Sequence, residues 1–294
     1  GIRSSLMASL VPAGLLLTAT SLTRTTVDSA RIVGALVGSG LFAIVGIATT
    51  YLVIVALFCL GLAFTLAILV HIDESGDTHS PPVSSRFSPW KELREGLQYV
   101  WKTPHLQAAM WIAVLVNFTA FPLSIGLLPY VAREIFGTDQ TGLGYLMASF
   151  AIGSLVGSII LGMVGHKVRP ARAMIFFAIT WHVFLAMFVW VDQLFLGMIL
   201  LGLAGLAHNL SLVPLVGLLM RTSDPAFWGR VMGVRMLAIY TLPISLMVAG
   251  WLIDSINFHR TMSLYMVIGI VLTLVIAVRW RESVLRKDSV ANAI

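Results

Sequence analysis

AIGSLVGSIILGMVGHKVRPARAMIFFAITWHVF, residues 151–184, joins two apolar runs through a hinge of five residues, His166 to Pro170, which holds Lys167, Arg169 and a proline. Either run alone would suit a buried core helix. Joined by so short and basic a turn, they predict two helices that cross a bilayer in opposite directions and meet water at the hinge. The composition extends this reading to the rest of the chain. Of 294 residues, 58% are hydrophobic and 11% charged, where soluble domains carry about 25% charged residues. A water-soluble fold would have too few polar side chains to cover its surface.

Apolar runs long enough to span a hydrocarbon core, about 20 residues for about 30 Å, fall at 14–44, 48–70, 104–132, 141–164, 171–191, 193–219, 231–253 and 261–280. The sequence therefore predicts an all-α polytopic membrane protein. Between the second and third runs lies a polar stretch, HIDESGDTHSPPVSS (residues 71–85), rich in loop-forming residues. Ser88 as N-cap and Pro89 at the first helical position then open a short helix. Trp90, Leu93, Leu97 and Trp101 recur on it near helical spacing, which predicts a helix lying along the membrane surface with its Lys and Arg toward water.

Charge placement gives the orientation. Of the 19 Lys and Arg, 14 fall on the side of the bilayer that holds the start of the chain, and only Arg133 and Arg260 on the other. Positive loops favour the cytoplasm, so both ends are expected there, as an even number of spans requires. The net charge of +6 comes from cations spread between apolar runs, not from one basic face. It points to an anionic membrane leaflet and away from nucleic acid. The one cysteine, Cys59, lies in an apolar run and reads as a small packed hydrophobe.

Polar residues within spans are costly and mark bundle contacts or functional sites. Arg24, Asp28 and Arg31 fall at i, i+4 and i+7 on one helix face. They read as an ion cluster near the cytoplasmic end, a gating contact, or a substrate or proton site. Arg235 stands about one turn inside its span, within reach of the interface. His208 and Asn209 sit mid-span shortly before Pro214, and read either as a polar contact between helices or as cavity-lining groups. Asn117 and His182 carry the same alternatives. Pro122, Pro214 and Pro243 interrupt spans and predict bends or packing kinks. Gly153 and Gly157, with Ala148 and Gly162 nearby, predict a close helix crossing, as do Gly34, Gly38 and Gly40. The sequence holds no phosphate-binding loop, no HExxH, no CxxC and no GxSxG. No enzyme activity, cofactor or metal is expected.

GMVGHKVRPAR, residues 162–172, resembles the short cytoplasmic loop motif of the major facilitator superfamily. Gly162 stands at the motif's first glycine, Lys167 at its basic position and Arg172 just beyond its further arginines. His166 replaces the usual aspartate, Arg169 a glycine and Pro170 an arginine. ARIVGALVGSGLF (30–42) is similar to the glycine-rich fifth span of bacterial efflux members, with Ala35 where a proline is usual. SPWKELREGLQYVWKTPHLQAAM (88–110) is similar to the segment joining the two halves in the branch of siderophore exporters and drug efflux proteins. DPAFWGRVMGVRM (224–236) resembles that branch's loop between spans ten and eleven, keeping Gly229, Arg230, Val231 and Gly233 while Trp228 replaces an arginine.

The resemblance implies that the eight spans match the family's fifth to twelfth, with the first four absent from this chain. Residues 1–70 would be the remainder of the N-terminal half, 71–103 a cytoplasmic linker with its interfacial helix, 104–280 a six-helix C-terminal half and 281–294 a cytoplasmic tail. It implies a secondary active transporter of a bacterial inner membrane, exporting a small amphipathic or lipophilic molecule by alternating access with proton coupling. The alternative is a non-transporting scaffold or sensor built on the same fold. The expected partners are the bilayer, a small-molecule substrate and protons. Asn117, His208 and Asn209 are the substrate-cavity candidates, and Arg24, Asp28, Arg31 and Arg235 the gating or coupling candidates. Gly162, Lys167, Arg169 and Arg172 form the cytoplasmic loop motif.

Overall fold

The computed structural model describes residues 48–64, 89–165 and 168–281, with the single positions 30, 34 and 37. These residues are helical apart from short turns, and no strand occurs among them. The helices are α1 (Ala48–Phe64), α2 (Pro89–Lys102), α3 (Pro104–Thr119), α4 (Gln140–Val164), α5 (Pro170–Phe188), α6 (Leu194–Thr222), α7 (Trp228–Ile239), α8 (Thr241–Ile256) and α9 (Phe258–Arg279). Among the described residues, α4, α5, α6, the continuous run Trp228–Ile256 and α9 are each long and apolar enough to cross a membrane. They correspond to the last five spans read from the sequence.

The hinge behaves as its residues dictate. Helix α4 stops at Val164, and Val168 N–H donates to the Gly165 carbonyl at 3.3 Å. Pro170 opens α5, and the preceding Arg169 is extended, with φ −83° and ψ 105°, because the proline ring disfavours helical geometry in the residue before it. Proline also explains two irregularities. The predicted span 104–132 is regular only to Thr119, after which π-helical turns occupy Pro122–Gly126 and Val131–Ile135. Pro122 and Pro129 lack an N–H, and the backbone repartners at a wider spacing, with Leu127 N–H on the Pro122 carbonyl at 2.7 Å and Phe136 N–H on that of Val131 at 3.0 Å. Pro243 opposes the carbonyl of Ile239, where α7 gives way to α8 at Tyr240. Pro214, by contrast, sits inside an unbroken α6.

Other helix ends have local causes. Asp139 caps α4, its Oδ1 accepting from the N–H groups of Thr141 at 3.0 Å and Gly142 at 3.2 Å. Asn257, the single residue between α8 and α9, adopts φ 75°, and its Oδ1 accepts from Arg260 N–H at 3.0 Å.

Helix α6 is the centre of the packing. In its apolar stretch 78% of the residues are buried, against 17% for Trp228–Ile256. It lies between α4 and α5, and the α4 side is a backbone-to-backbone crossing. A Cβ on Gly153 would run into the Gly202 carbonyl, one on Gly205 into the Phe150 carbonyl, and one on Gly157 would lie 3.0 Å from the Leu206 carbonyl. The predicted GxxxG is thus a close crossing. On the α5 side the Ser211 hydroxyl donates to the Met174 carbonyl at 2.9 Å.

Helices α3, α8 and α9 meet at a second node. The Ser245 hydroxyl donates to the Phe118 carbonyl, Tyr265 O–H donates to the Ser245 carbonyl at 3.0 Å, and the Phe118 and Tyr265 rings stack at 5.8 Å. Nearby, Thr119 Oγ1 and His182 Nε2 are 2.8 Å apart, with the His182 ring seated against Gly269. His182 is therefore a buried contact joining α3, α5 and α9.

Helix α2 does more than lie flat. Trp90, Leu97 and Trp101 are exposed, whereas Leu93, the fourth member of the apolar stripe, packs against the core. Its next face is docked on α7 and the loop before it. Buried Gly96 lies against the Arg230 backbone, Glu95 pairs with Arg230 at 3.4 Å, and Tyr99 stacks on Phe227 at 4.4 Å. The Tyr99 oxygen also accepts from Asp224 N–H at 3.0 Å.

Gly205→Val should destabilise the bundle by about 1–3 kcal/mol, because the added carbons have only backbone to displace; unfolding of the purified protein in detergent measures it, and wild-type stability would contradict the crossing. Asp139→Ala should cost about 1 kcal/mol by the same assay, with Asp139→Asn recovering most of it.

Candidate functional site

Helices α3, α6 and α7, with the turn after α3 and the start of α8, enclose a cavity of about 260 Å³. Its polar lining is Asn117, His208 and Arg235, one from each of the three helices, and its apolar walls include Phe121, Leu212 and Ile239. At 1.5 Å per residue, His208 lies about 21 Å along α6 from Leu194 and Asn117 about 20 Å along α3 from Pro104, each about one hydrocarbon half-thickness or more from its helix start. Arg235 lies about 10 Å along α7 from Trp228. The cavity is therefore reached by groups well inside the spans.

His208 is almost fully buried and held by rings. Phe121, Phe150 and Trp181 lie with centroids 5.3, 5.2 and 4.8 Å from its own. Its Nδ1 is 3.5 Å from Ser154 Oγ. Trp181 is fixed in turn, its indole N–H donating to Ser124 Oγ at 3.2 Å. Asn117 donates one amide hydrogen to the Ala113 carbonyl at 2.8 Å, one helical turn back. Arg235 is half-buried. The sequence allowed it to reach the interface, whereas its side chain lines this cavity. Among the described residues that line the cavity, Arg235 is charged and none is acidic.

The remaining candidates lie elsewhere. Asn209 donates to Ser154 Oγ at 2.9 Å and Ser158 Oγ at 3.0 Å, which puts it in the α4–α6 crossing, outside the residues lining the cavity. Gly162, Arg169 and Arg172 stand at the α4–α5 hinge, with both arginines exposed. Arg24, Asp28, Arg31 and Lys167 lie outside the described residues. Among the described residues no group of three or more His, Cys, Asp and Glu is placed to hold a metal. Sequence reasoning missed the ring cage around His208, because its members come from three separate elements with no shared spacing.

Comparison with known proteins now adds its own result. The chain is 27% identical over 169 residues to the multidrug efflux pump Tap of Mycolicibacterium fortuitum, covering 57% of this chain and 41% of that protein. It is 24% identical over 219 residues to the enterobactin exporter EntS of Escherichia coli O1:K1, covering 74% of this chain and 50% of that protein. The chain thus spans about half the length of these curated relatives, or less. The profile of the Major Facilitator Superfamily matches residues 110–292, more than half of the chain and the part that contains the cavity. With its apolar membrane-spanning helices, the chain belongs to the Major Facilitator Superfamily, a family of multi-pass membrane transporters and not of enzymes.

Proposed function

We propose that the protein is a secondary active transporter that exports a small amphipathic or lipophilic molecule across a bacterial inner membrane, coupled to protons. The observation that carries this reading is the cavity of Asn117, His208 and Arg235 deep within the spans. Two of the helices around it are irregular beside it, α3 followed by the π-helical turn at Pro122 and α7 ending at Tyr240. Broken helices next to a mid-membrane cavity are the usual means by which one bundle face opens and closes. Both relatives bear the names of exporters, which supports the outward direction.

In this reading residues 104–280 form a six-helix half, 1–70 belong to the other half, 71–103 link them, and 281–294 are a cytoplasmic tail. The loops carrying Lys102, Arg169, Arg172, Arg221 and Arg230 face the cytoplasm, by the bias of basic residues. The hinge with Gly162 and Lys167 acts as a gate, and Arg24, Asp28 and Arg31 contribute to gating or coupling. Asn209 acts indirectly, by fixing the rotation of α6 against α4.

The test is flux of a lipophilic dye into or out of proteoliposomes holding the protein as its gene encodes it, with and without an imposed proton gradient. Gradient-dependent flux is expected, abolished by a protonophore. Asn117→Leu should lower it about tenfold, the worth of about 1.4 kcal/mol of lost polar contact. Correctly inserted protein with no flux of any dye would favour the scaffold or sensor reading.

A further inference from the structure

We propose that α2 and the loop at residues 223–227 form a clasp that sets the position of the cavity wall, with Glu95, Tyr99 and Trp228 as positioning residues acting through α7. The clasp's role in transport rests on the transporter reading; its contacts do not. Helix α7 carries Arg235 and Ile239 on the cavity lining, about 8 and about 14 Å along the helix from Arg230 at 1.5 Å per residue. It runs from Trp228 to Ile239 and gives way to α8 at Tyr240. A helix this short moves as a rod, because its backbone hydrogen bonds are internal. Whatever holds its first turn therefore orients the residues two turns further on.

That first turn is held from two sides. Trp228 turns its indole back to the end of α6, its N–H donating to the Met220 carbonyl at 2.9 Å and to that of Ser223 at 3.2 Å. The last carbonyls of a helix have no partner within it, so this bond ties α7 to the helix that carries His208. On the other side stands α2. Glu95 pairs with Arg230 at 3.4 Å, and Gly96 admits the Arg230 backbone, whose carbonyl oxygen would lie 3.0 Å from an added Cβ. Tyr99 stacks on Phe227 with ring centres 4.4 Å apart and planes 10° from parallel, and its oxygen accepts from Asp224 N–H at 3.0 Å. The Arg230 guanidinium lies 5.0 Å from the Phe227 ring centre, so the ion pair and the ring stack share one support. A partly exposed ion pair is worth little alone. Here a charge pair, a ring stack, a hydrogen bond and a close backbone approach converge on residues 224–230, and a shift of α2 is passed through them to the cavity end of α7.

Hydrogen exchange read by mass spectrometry on the full-length protein in nanodiscs tests this, with α5, which packs on α6 and α9, as the reference. Glu95→Arg and Arg230→Glu should each raise exchange at least about threefold across residues 234–240, the cavity half of α7, and leave α5 unchanged. The double reversal should bring exchange back toward wild type. Trp228→Phe, which keeps an aromatic ring and removes the N–H donor, should raise exchange over the same residues. Should a reversal fail to insert, Glu95→Gln and Tyr99→Leu, which each delete one contact, are judged by the same criterion. Unchanged exchange at 234–240, a rise confined to residues 224–232, an equal rise in α5, or a double reversal that restores nothing overturns the clasp as a positioning device. Dye flux in proteoliposomes separates the two claims. The predicted exchange pattern without flux supports the clasp and contradicts the transporter reading, whereas flux in a protein whose α7 ignores these substitutions does the reverse.

Discussion

The crossing of α4 and α6 at carbonyl-to-glycine distance is the constraint on which the rest of the bundle depends. Lipid tails offer a helix the same apolar surroundings as a neighbouring helix does, so association in a membrane relies on close packing and on polar contacts. Gly153, Gly157 and Gly205 allow that approach, and Asn209 secures it through Ser154 and Ser158. Once the rotation of α6 is set this way, neighbouring residues are committed to different directions, since each step along a helix turns it by about 100°. Asn209 goes to the crossing, Ser211 to α5 and His208 to the cavity wall. The functional candidate is thus placed by a packing residue next to it in the chain.

The same logic explains what was legible in the sequence. The alternation of long apolar runs with a short basic hinge fixed the class of the fold, because hydrocarbon thickness and the backbone's need for internal hydrogen bonds leave few other solutions. Gly153 and Gly157 were legible as a crossing, since a small-residue repeat along one face has one common physical use. Pro122 and Pro243 were legible as breaks because a missing N–H acts locally. Pro214 shows the limit of that argument: the surrounding packing of α6 keeps the helix continuous through it.

What was not legible depended on pairing between distant segments. The spacing of Trp90, Leu93, Leu97 and Trp101 revealed one face of α2, while the docked face, Gly96, Tyr99 and Val100, had no pattern of its own and is recognisable only against Phe227 and Arg230. Asn117, His208 and Arg235 lie far apart in the chain, and each alone carried several readings. Their convergence on one cavity, with His208 on its lining and Asn209 outside it although both reach Ser154, follows from helix rotation, which periodicity in a nearly all-apolar helix does not encode. A helix apolar on every side has no hydrophobic face to announce its orientation.

The claim that matters most is that this cavity is a water-accessible transport site. The most direct measurement is thiol modification of Asn117→Cys in a Cys59→Ser background, with membrane-impermeant methanethiosulfonate reagents applied to each side of vesicles in turn. The account predicts modification from the aqueous phase, slowed by a transported substrate and accompanied by loss of flux. A thiol that stays unreactive from both sides in protein that still transports would contradict it, and would move the substrate pathway away from α3, α6 and α7.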